Sequence, residues 1–299
     1  MSLPSLGILD FGYINPPKLH AYQTINSLFE EVAQYEALGY KRLWLSEHYS
    51  PEFAWFNPEI LLPLLAGYSE KIRVGLAGVL LSYHSPLLVA QNFKLLSAVY
   101  NDRIDLGIAR AHVSERTGKF LVSNTEMENI NADWENKVAQ LLLFLRQNSI
   151  EESLLEKMTV PPHGTMLPEM WLLGASGHSV DNTVKNQCNF CISFMHPGSD
   201  FNKNKDTLKI FKEKYYAKNN CLPQTAVLLC GVHVRDKIER QRLENEFNQR
   251  GDVNIFGEKN FIIDRLHALK EIFDNDEFIL FNPYFDRSQR MESFATIIN

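Results

Sequence analysis

Residues 42–49 of this chain have the sequence Arg-Leu-Trp-Leu-Ser-Glu-His-Tyr. The apolar residues 43–45 are typical of a buried strand, and Glu47 and His48 follow where that strand should end. In barrels of parallel strands, the carboxyl ends of the strands form the catalytic face. Taken alone, such a pair is more typical of a polar strand end with a surface histidine, so its interpretation depends on the rest of the chain.

The segments around this stretch alternate short apolar runs with longer amphipathic ones, which is typical of βα units on a parallel sheet. Helical stripes occur at residues 24–38 and 86–100. Eight apolar runs are predicted to form strands: Leu6–Phe11, Arg42–Ser46, Ile72–Leu81, Ile104–Ile108, Met170–Leu173, Phe190–Phe194, Val227–Val234 and Phe278–Phe281. This pattern predicts one α/β domain over residues 1–299, a (β/α)8 TIM barrel. A doubly wound sheet is the alternative, although its Gly-x-Gly-x-x-Gly signature is missing after the first strand.

Composition limits the kind of partner. The chain has 299 residues, of which 45% are hydrophobic and 22% charged, enough for the core of a single α/β barrel. The net charge is −6 and no basic stripe occurs, so we expect a small-molecule partner rather than a nucleic acid. The amino terminus lacks a signal-peptide pattern, and no run of about 18 apolar residues occurs. We therefore expect a cytoplasmic protein with no membrane partner.

The four cysteines are too few to predict a disulfide scaffold in a chain of this length. Cys188 and Cys191 form a C-x-x-C motif, but Cys221 and Cys230 do not repeat its spacing. We therefore expect reduced thiols and no metal site.

One long connection, from Val113 to Pro168, interrupts the βα pattern. It is polar over residues 114–131, helical over residues 132–146 and proline-rich over residues 160–164. Connections of this length at the catalytic end of a barrel usually cover a site, so the sequence predicts a lid-like insertion at about 113–168. Residues 219–224 and 248–257 are predicted to be surface loops.

Six segments occur in the order and at the spacing of one known family. They are Leu-Gly-Ile-Leu-Asp at residues 6–10, Leu-Trp-Leu-Ser-Glu-His at residues 43–48, residues 71–81, His84-Ser85-Pro86 with Ala90-Gln91, residues 103–111, and Trp-Leu-Leu-Gly-Ala-Ser-Gly at residues 171–177. Together they resemble the bacterial luciferase-like family of flavin-dependent monooxygenases over nearly the whole chain. The resemblance implies the same barrel that the strand pattern predicts.

A phosphate site is predicted after the fifth strand. Small residues form a turn before a helix there, where backbone N–H groups attract anions: Gly174, Ala175, Ser176, Gly177 and Ser179. Taken alone, the same residues are more typical of an ordinary helix cap. Arg110 follows the fourth strand and could reach the phosphate with charge-assisted bonds, or instead pair with Glu115 or Asp10. In the family that this chain resembles, the matching arginine and turn residues hold the phosphate of flavin mononucleotide (FMN).

The resemblance also implies a cis peptide bond at Ala77–Gly78, against which the flavin ring packs. From the sequence alone, a glycine at a barrel bend is the simpler interpretation. His48 is the candidate catalytic residue, because imidazole titrates near neutral pH and the matching family histidine is catalytic. Glu47 is predicted either to orient His48 or to pair with Arg42 or Arg73. His84 is predicted to be structural.

The resemblance implies a monooxygenase that uses reduced FMN (FMNH2) and O2, through a C4a-peroxyflavin, on a small organic substrate. A separate flavin reductase would supply the reduced FMN. Two alternatives remain open: an F420-dependent hydride-transfer oxidoreductase, and a non-catalytic flavin-binding subunit. Family members usually pair, so we expect a homodimer or a heterodimer, with contacts through residues 24–38 or the helix after His84.

Two features depart from the usual family pattern. The segment Ala-Arg-Ala-His-Val at residues 109–113 is bulkier than the usual small turn, and Gln91 stands where the family often has glutamate. Aromatic residues near strand ends are candidates for the substrate wall: Phe11, Trp44, Tyr49, Trp55, Phe56 and Phe194.

Overall fold

The computed structural model describes residues 3–14, 20–110, 113–122, 130–147, 159–175, 177–195, 199–247 and 253–299. These residues contain nine parallel strands. They are β1 (Ser5–Asp10), β2 (Arg42–Leu45), β3 (Arg73–Leu80), β4 (Ile104–Ala109), β5 (Glu169–Gly174), β6 (Asn189–Ser193), β7 (Thr225–His233), β8 (Ile255–Gly257) and β9 (Glu277–Phe281).

Eight of these strands close into a barrel. Strands β1 to β7 pair in sequence order, and β9 pairs with both β7 and β1. The predicted (β/α)8 TIM barrel is confirmed, with a strand at each predicted position, and the doubly wound alternative is wrong because the sheet has no open edge in the barrel.

Strand β8 was not predicted. It pairs with Gly231–His233, the end of β7 that extends beyond the barrel. The prediction that residues 248–257 form a surface loop is therefore wrong for Ile255–Gly257, which are buried. Three residues are too few to show a periodic pattern, and their extended conformation depends on pairing with β7.

Helices surround the barrel. Within the described residues they are α1 (Ala21–Leu38), α2 (Leu62–Gly67), α3 (Pro86–Val99), α4 (Glu115–Leu121), α5 (Trp134–Arg146), α6 (His178–Asn186), α7 (Phe201–Asn204), α8 (Thr207–Asn219), α9 (Lys237–Phe247), α10 (Lys259–Phe273) and α11 (Arg287–Ile298). Short 3₁₀ turns occur at Pro58–Leu61 and Leu81–Tyr83. None of the described helices combines the length and apolarity needed to cross a bilayer.

The strands are buried on both faces. In β2, Leu43 and Leu45 pack in the core between barrel and helices, whereas Trp44 belongs to the separate core inside the barrel. Successive side chains of a strand point to opposite faces, so one short apolar run supplies both cores.

An ion network fills the amino-terminal end of the barrel. Arg42, whose side chain is 6% exposed, donates to Asp105 at 2.8 Å, to Glu169 at 2.8 Å and to Glu277 at 2.5 Å. Trp44 Nε1 donates to the same Asp105 carboxylate at 2.8 Å. Since these residues stand at the beginnings of their strands, the interior cavity is confined to the carboxyl end.

The long connection after β4 is divided between two positions. Helix α5 packs against α3 and buries Val138, Leu141 and Leu145, so it belongs to the outer layer of helices. Helix α4, which lies in the stretch predicted only to be polar, is mostly exposed. Residues 123–129 and 148–158 of the predicted lid lie outside the described residues, and closure over the site stays a prediction.

Candidate active site

A cavity of about 740 Å³ opens at the carboxyl ends of the barrel strands. Strands β1 and β3 to β7 contribute Leu9, Gly78, Ala109, Leu173, Ser193 and Leu228 to its lining, and residues 47–53 after β2 complete it. A wider depression of about 990 Å³ lies at the opposite end, where lining side chains such as Lys212 and Asp274 pair with each other. Most of the predicted site residues line the first cavity.

The structure brings most of the predicted residues together. Those that line the cavity are His48, Ala77, Gly78, Arg110, Gly174, Ala175 and Ser179. Gly177 lies exposed immediately before α6, outside this lining, and Ser176 lies outside the described residues. The seven residues that line the cavity are consistent with a single site, and the role of each residue stays a prediction.

His48 is exposed to the cavity in a fixed aromatic setting. Its ring packs against both Phe11 and Phe53, with centroid distances of 4.8 Å and 5.2 Å. Its Nδ1 lies 3.0 Å from the hydroxyl oxygen of Ser46. These contacts restrict the ring orientation, as an acid–base group requires.

The loop after β1, which carries Phe11, and the loop after β2, which carries Phe53, are hydrogen-bonded to each other. Ala54 N–H donates to Gly12 O at 2.7 Å, and Ile14 N–H donates to Glu52 O at 2.9 Å. Gly12 has φ of +72°, and a Cβ there would lie 2.6 Å from the Trp55 ring. This turn therefore requires glycine, and it places Phe11 beside His48.

Glu47 has a different set of partners from those predicted. Its carboxylate accepts hydrogen bonds from Tyr49 Oη at 2.7 Å and Leu80 N at 2.9 Å, and lies 2.7 Å from His84 Nε2. Arg42 and Arg73, the predicted partners, bind carboxylates at the opposite end of the barrel. Local sequence order suggested a link to His48, but one partner is the neighbouring Tyr49 and the other two, Leu80 and His84, come from β3 and the turn that follows it.

The pKa of His84 reflects this contact. Burial disfavours the charged imidazolium, but the hydrogen bond and charge of Glu47, together with Glu59, outweigh burial and raise the pKa of His84 above its ordinary value of 6.5. The contact with Glu47 therefore favours the protonated form of His84 more than water does.

The wall formed by β3 and β4 is tightly packed. The Ala77–Gly78 peptide bond is cis, at the position that the family resemblance predicted. A Cβ on Gly78 would lie 3.0 Å from both the carbonyl carbon and oxygen of Gly107. The two backbones therefore approach each other without side chains between them, which leaves a smooth wall on the cavity.

Arg110 and residues next to the start of α6 line the same cavity. A Cβ on Gly177 would meet no atom within 4 Å, so the backbone before α6 borders open space. Arg110 is exposed and forms no ion pair with another described residue. Its two predicted alternative partners bind elsewhere: Glu115 pairs with Lys119 at 2.6 Å, and Asp10 lies 3.9 Å from Arg290. An exposed guanidinium and a helix start on one cavity suit a phosphate group.

Two of the six aromatic residues predicted for the substrate wall line the cavity, namely Phe11 and Tyr49. Trp44 is buried inside the barrel, Trp55 and Phe194 belong to the outer core, and Phe56 is exposed. The prediction missed Tyr13, Phe53 and Met195, which also line the cavity. Tyr13 could have been found, because it follows β1 in the same way that Tyr49 follows β2.

The C-x-x-C motif does not form one site. Cys188 belongs to the outer core and Cys191 to the core inside the barrel. Burial raises the pKa of the Cys188 thiol to about 12, so this thiol is protonated at neutral pH.

Comparisons with known proteins agree with this geometry. The profile of the luciferase-like monooxygenase family matches residues 9–238. YwcH of Bacillus subtilis (strain 168) is 34% identical over 145 residues, 48% of this chain and 43% of that protein. The N-acetyl-S-alkylcysteine monooxygenase of the same organism is 27% identical over 253 residues, 81% of this chain and 72% of that protein. The match to YwcH thus spans less than half of that relative.

Solved structures share the fold. The apo-MsnO8 structure superposes with a TM-score of 0.82 at 24% identity, covering 99% of this chain and 97% of that one. The oxygenating constituent of 3,6-diketocamphane monooxygenase from Pseudomonas putida, in complex with FMN, gives 0.77 at 17% identity, covering 100% and 97%. An F420-dependent secondary alcohol dehydrogenase gives 0.72 at 12% identity, covering 99% and 98%.

Proposed function

This chain belongs to the luciferase-like monooxygenase family, and we propose that it uses reduced FMN and O2 to oxygenate a small organic substrate. The main support is the position of Arg110, which lines the same cavity as His48 and the residues that precede α6. A cofactor whose phosphate is bound by Arg110 would therefore lie in the same cavity as the acid–base residue His48.

The residues present suit FMN. We assign its phosphate to Arg110, Ser179 and the turn Gly174–Gly177, which includes Ser176, because backbone N–H groups at a helix start and a guanidinium are matched anion donors. The flat ring would lie against Ala77 and Gly78, where no long side chain projects between the strands. When bound, reduced FMN supplies the reaction with O2.

The protein's own residues would control protons and water. His48 would accept a proton and return it during turnover, because an imidazole can do both near neutral pH. Phe11, Tyr13 and Phe53 surround this part of the cavity with aromatic rings. Apolar walls exclude water, which protects a reactive intermediate from hydrolysis.

The walls also indicate the substrate. Apart from Arg110, Glu47 and Glu52, the lining around His48 consists mainly of aromatic and aliphatic side chains such as Met195 and Leu228. We therefore propose a small, mostly uncharged organic substrate. A separate flavin reductase would supply the reduced FMN, as the resemblance to the family implies.

F420 is the alternative cofactor, because an F420-dependent dehydrogenase shares the fold with a TM-score of 0.72. In that case the reaction would be hydride transfer rather than oxygenation. Fold similarity at this level does not distinguish the two cofactors.

We also propose that the chain forms a homodimer through α2 and α3. On and next to these helices, large apolar side chains are exposed: Ile60, Leu64, Tyr68, Leu88, Leu95 and Val99. Tyr100 Oη donates to Pro63 O at 2.8 Å, which places the end of α3 beside α2. A second copy is the simplest cover for an exposed apolar face of this extent. The stripe of α1 is not available, because Leu28, Val32 and Tyr35 are buried within the same chain.

Cofactor identity can be tested directly. The purified protein should be titrated with oxidised FMN, with reduced FMN under anaerobic conditions, and with F420, and binding followed by fluorescence and absorbance. We expect reduced FMN to bind most tightly, and O2 to oxidise the bound form. Selective binding of F420 would replace the proposal with the hydride-transfer alternative, and binding of neither cofactor would overturn both.

A further inference from the structure

We propose that Tyr49, Glu47 and His84 form a proton relay between the cavity and solvent. This inference rests on the proposed function, because it assigns the relay to the site in which FMN would bind. It concerns protons that enter or leave the cavity, whereas His48 is the residue proposed to act at the reacting atoms.

The centre of the relay is the buried carboxylate of Glu47, which is 3% exposed. One oxygen, Oε2, is occupied by the backbone N–H of Leu80 at 2.9 Å. The other oxygen, Oε1, is 2.7 Å from both the Tyr49 hydroxyl and His84 Nε2. Both partners therefore meet on one oxygen, and a proton can pass from one to the other through that atom.

The two ends of the relay lie in different surroundings. Tyr49 and Glu47 line the cavity. The His84 side chain is not part of that lining and is 26% exposed. The chain of contacts therefore begins in the cavity and ends at a histidine that can exchange protons with water.

Neighbouring groups hold the histidine end in place. Lys137 on α5 donates to Ser82 O at 2.6 Å and to His84 O at 3.2 Å, which fixes the turn that carries the imidazole. The charged groups that influence His84 are Glu47 after β2, Glu59 in the 3₁₀ turn, and Lys137. Burial and Lys137 disfavour the imidazolium and the two carboxylates favour it, and the net effect raises the pKa of His84 above its ordinary value of 6.5.

The transfer is balanced in either direction. Outward, a bound ligand passes a proton to the Tyr49 oxygen while the Tyr49 hydroxyl proton moves to Glu47 Oε1. The Glu47 proton then moves to Nε2 of a neutral His84, and the ring releases a proton from Nδ1 to water. Inward, the same bonds form and break in reverse order. No electrons move. Tyr49 and Glu47 regain their initial protonation, whereas His84 passes from its Nδ1–H to its Nε2–H tautomer, and proton exchange of the partly exposed ring with water must reverse this change before the next transfer.

A purely structural role would use the same contacts, so the test must separate the two. Tyr49→Phe removes only the cavity end and keeps the Glu47–His84 contact. His84→Gln removes the solvent end. Tyr216→Phe, on an exposed part of α8, and His267→Gln, on α10, are matched controls.

The first measurement is the oxidation rate of bound reduced FMN by O2, followed by stopped flow from about pH 6 to 9, the range in which a perturbed histidine titrates. We expect Tyr49→Phe and His84→Gln each to slow the proton-dependent phase at least about tenfold and to flatten its pH profile. The double variant should be no slower than either single variant, because both changes interrupt one path. The controls should retain the wild-type profile.

The second measurement is independent of turnover. Imidazole NMR of ¹⁵N-histidine-labelled protein should show that Glu47→Gln returns the pKa of His84 towards its ordinary value. In a separate titration, Tyr49→Phe should leave the affinity for FMN unchanged. Two results would overturn the relay alone, provided that the wild type and the variants bind reduced FMN. One is additive rate losses in the double variant, and the other is a pH profile in Tyr49→Phe and His84→Gln that is unchanged from the wild type. Failure of the wild type to bind FMN would overturn the relay together with the proposed function.

Discussion

Arg42 and Asp105 form a salt bridge of 2.8 Å inside the barrel, between side chains that are 6% and 0% exposed. Removing Arg42 would leave Asp105 with Arg73 as its ion-pair partner and would take from the mostly buried Glu277 carboxylate its ion pair with Arg42. We expect Arg42→Met to lower the free energy of unfolding by about 3–5 kcal/mol, measured by urea denaturation. Arg242→Met is the matched control, because its side chain is 53% exposed and its ion pairs should contribute less than about 1 kcal/mol. Equal losses in the two variants would contradict this explanation.

The close approach of β3 and β4 gives a second prediction. A Cβ on Gly107 would overlap the carbonyl oxygen of Leu76 and lie 2.8 Å from the Leu173 side chain. We expect Gly107→Ala to destabilise the protein by at least about 1–3 kcal/mol, because backbone atoms would have to move. In Gly67→Ala the nearest atom is the Tyr100 hydroxyl at 3.6 Å, so that helix variant should be neutral or slightly more stable. Thermal unfolding of both would decide the point, and a stable Gly107→Ala would count against the close packing.

The sequence patterns predicted part of the fold and of the candidate site. Strand periodicity predicted the barrel and placed His48, Gly78, Arg110 and Gly174 at strand ends, because all carboxyl ends of a parallel barrel share one face. The pairing of Glu47 with His84 was not predictable, since it joins residues 37 positions apart through side-chain orientation. The short strand β8 was missed for a related reason: its conformation depends on a partner strand and not on its own sequence.

His48 is predicted to affect turnover more than cofactor binding. We expect His48→Asn to lower the rate of substrate oxygenation by about 10²–10⁴-fold, the usual contribution of a positioned acid–base group, and to change FMN affinity little. Product formation and equilibrium binding should be measured on the same preparation, with His267→Asn as the control. A loss confined to binding would assign His48 to the cofactor site instead.

The apolar face on α2 and α3 predicts a dimer, and charged side chains introduced on that face should disrupt it. Leu95 and Val99 are 56% and 69% exposed on one side of α3. We expect light scattering to give a dimeric mass for the wild type and a monomeric mass for Leu95→Glu/Val99→Glu with unchanged circular dichroism. Ile238→Glu, on α9, should remain dimeric, since Ile238 is exposed away from this face. A monomeric wild type would contradict the proposal.

Arg110 provides the most direct test of the central proposal that this cavity binds FMN through its phosphate. Binding of FMN and of riboflavin, which lacks the phosphate, should be compared in the wild type, Arg110→Ala and Arg110→Lys. If the guanidinium holds the phosphate, Arg110→Ala should weaken FMN binding by about 10–100-fold, as expected for a charged hydrogen bond, and leave riboflavin binding nearly unchanged. Arg110→Lys should recover part of the FMN affinity, because it keeps the charge without the planar donor pair. Equal weakening of both ligands, or no effect on either, would contradict the assignment of the phosphate to Arg110 and with it the main support for the proposed function.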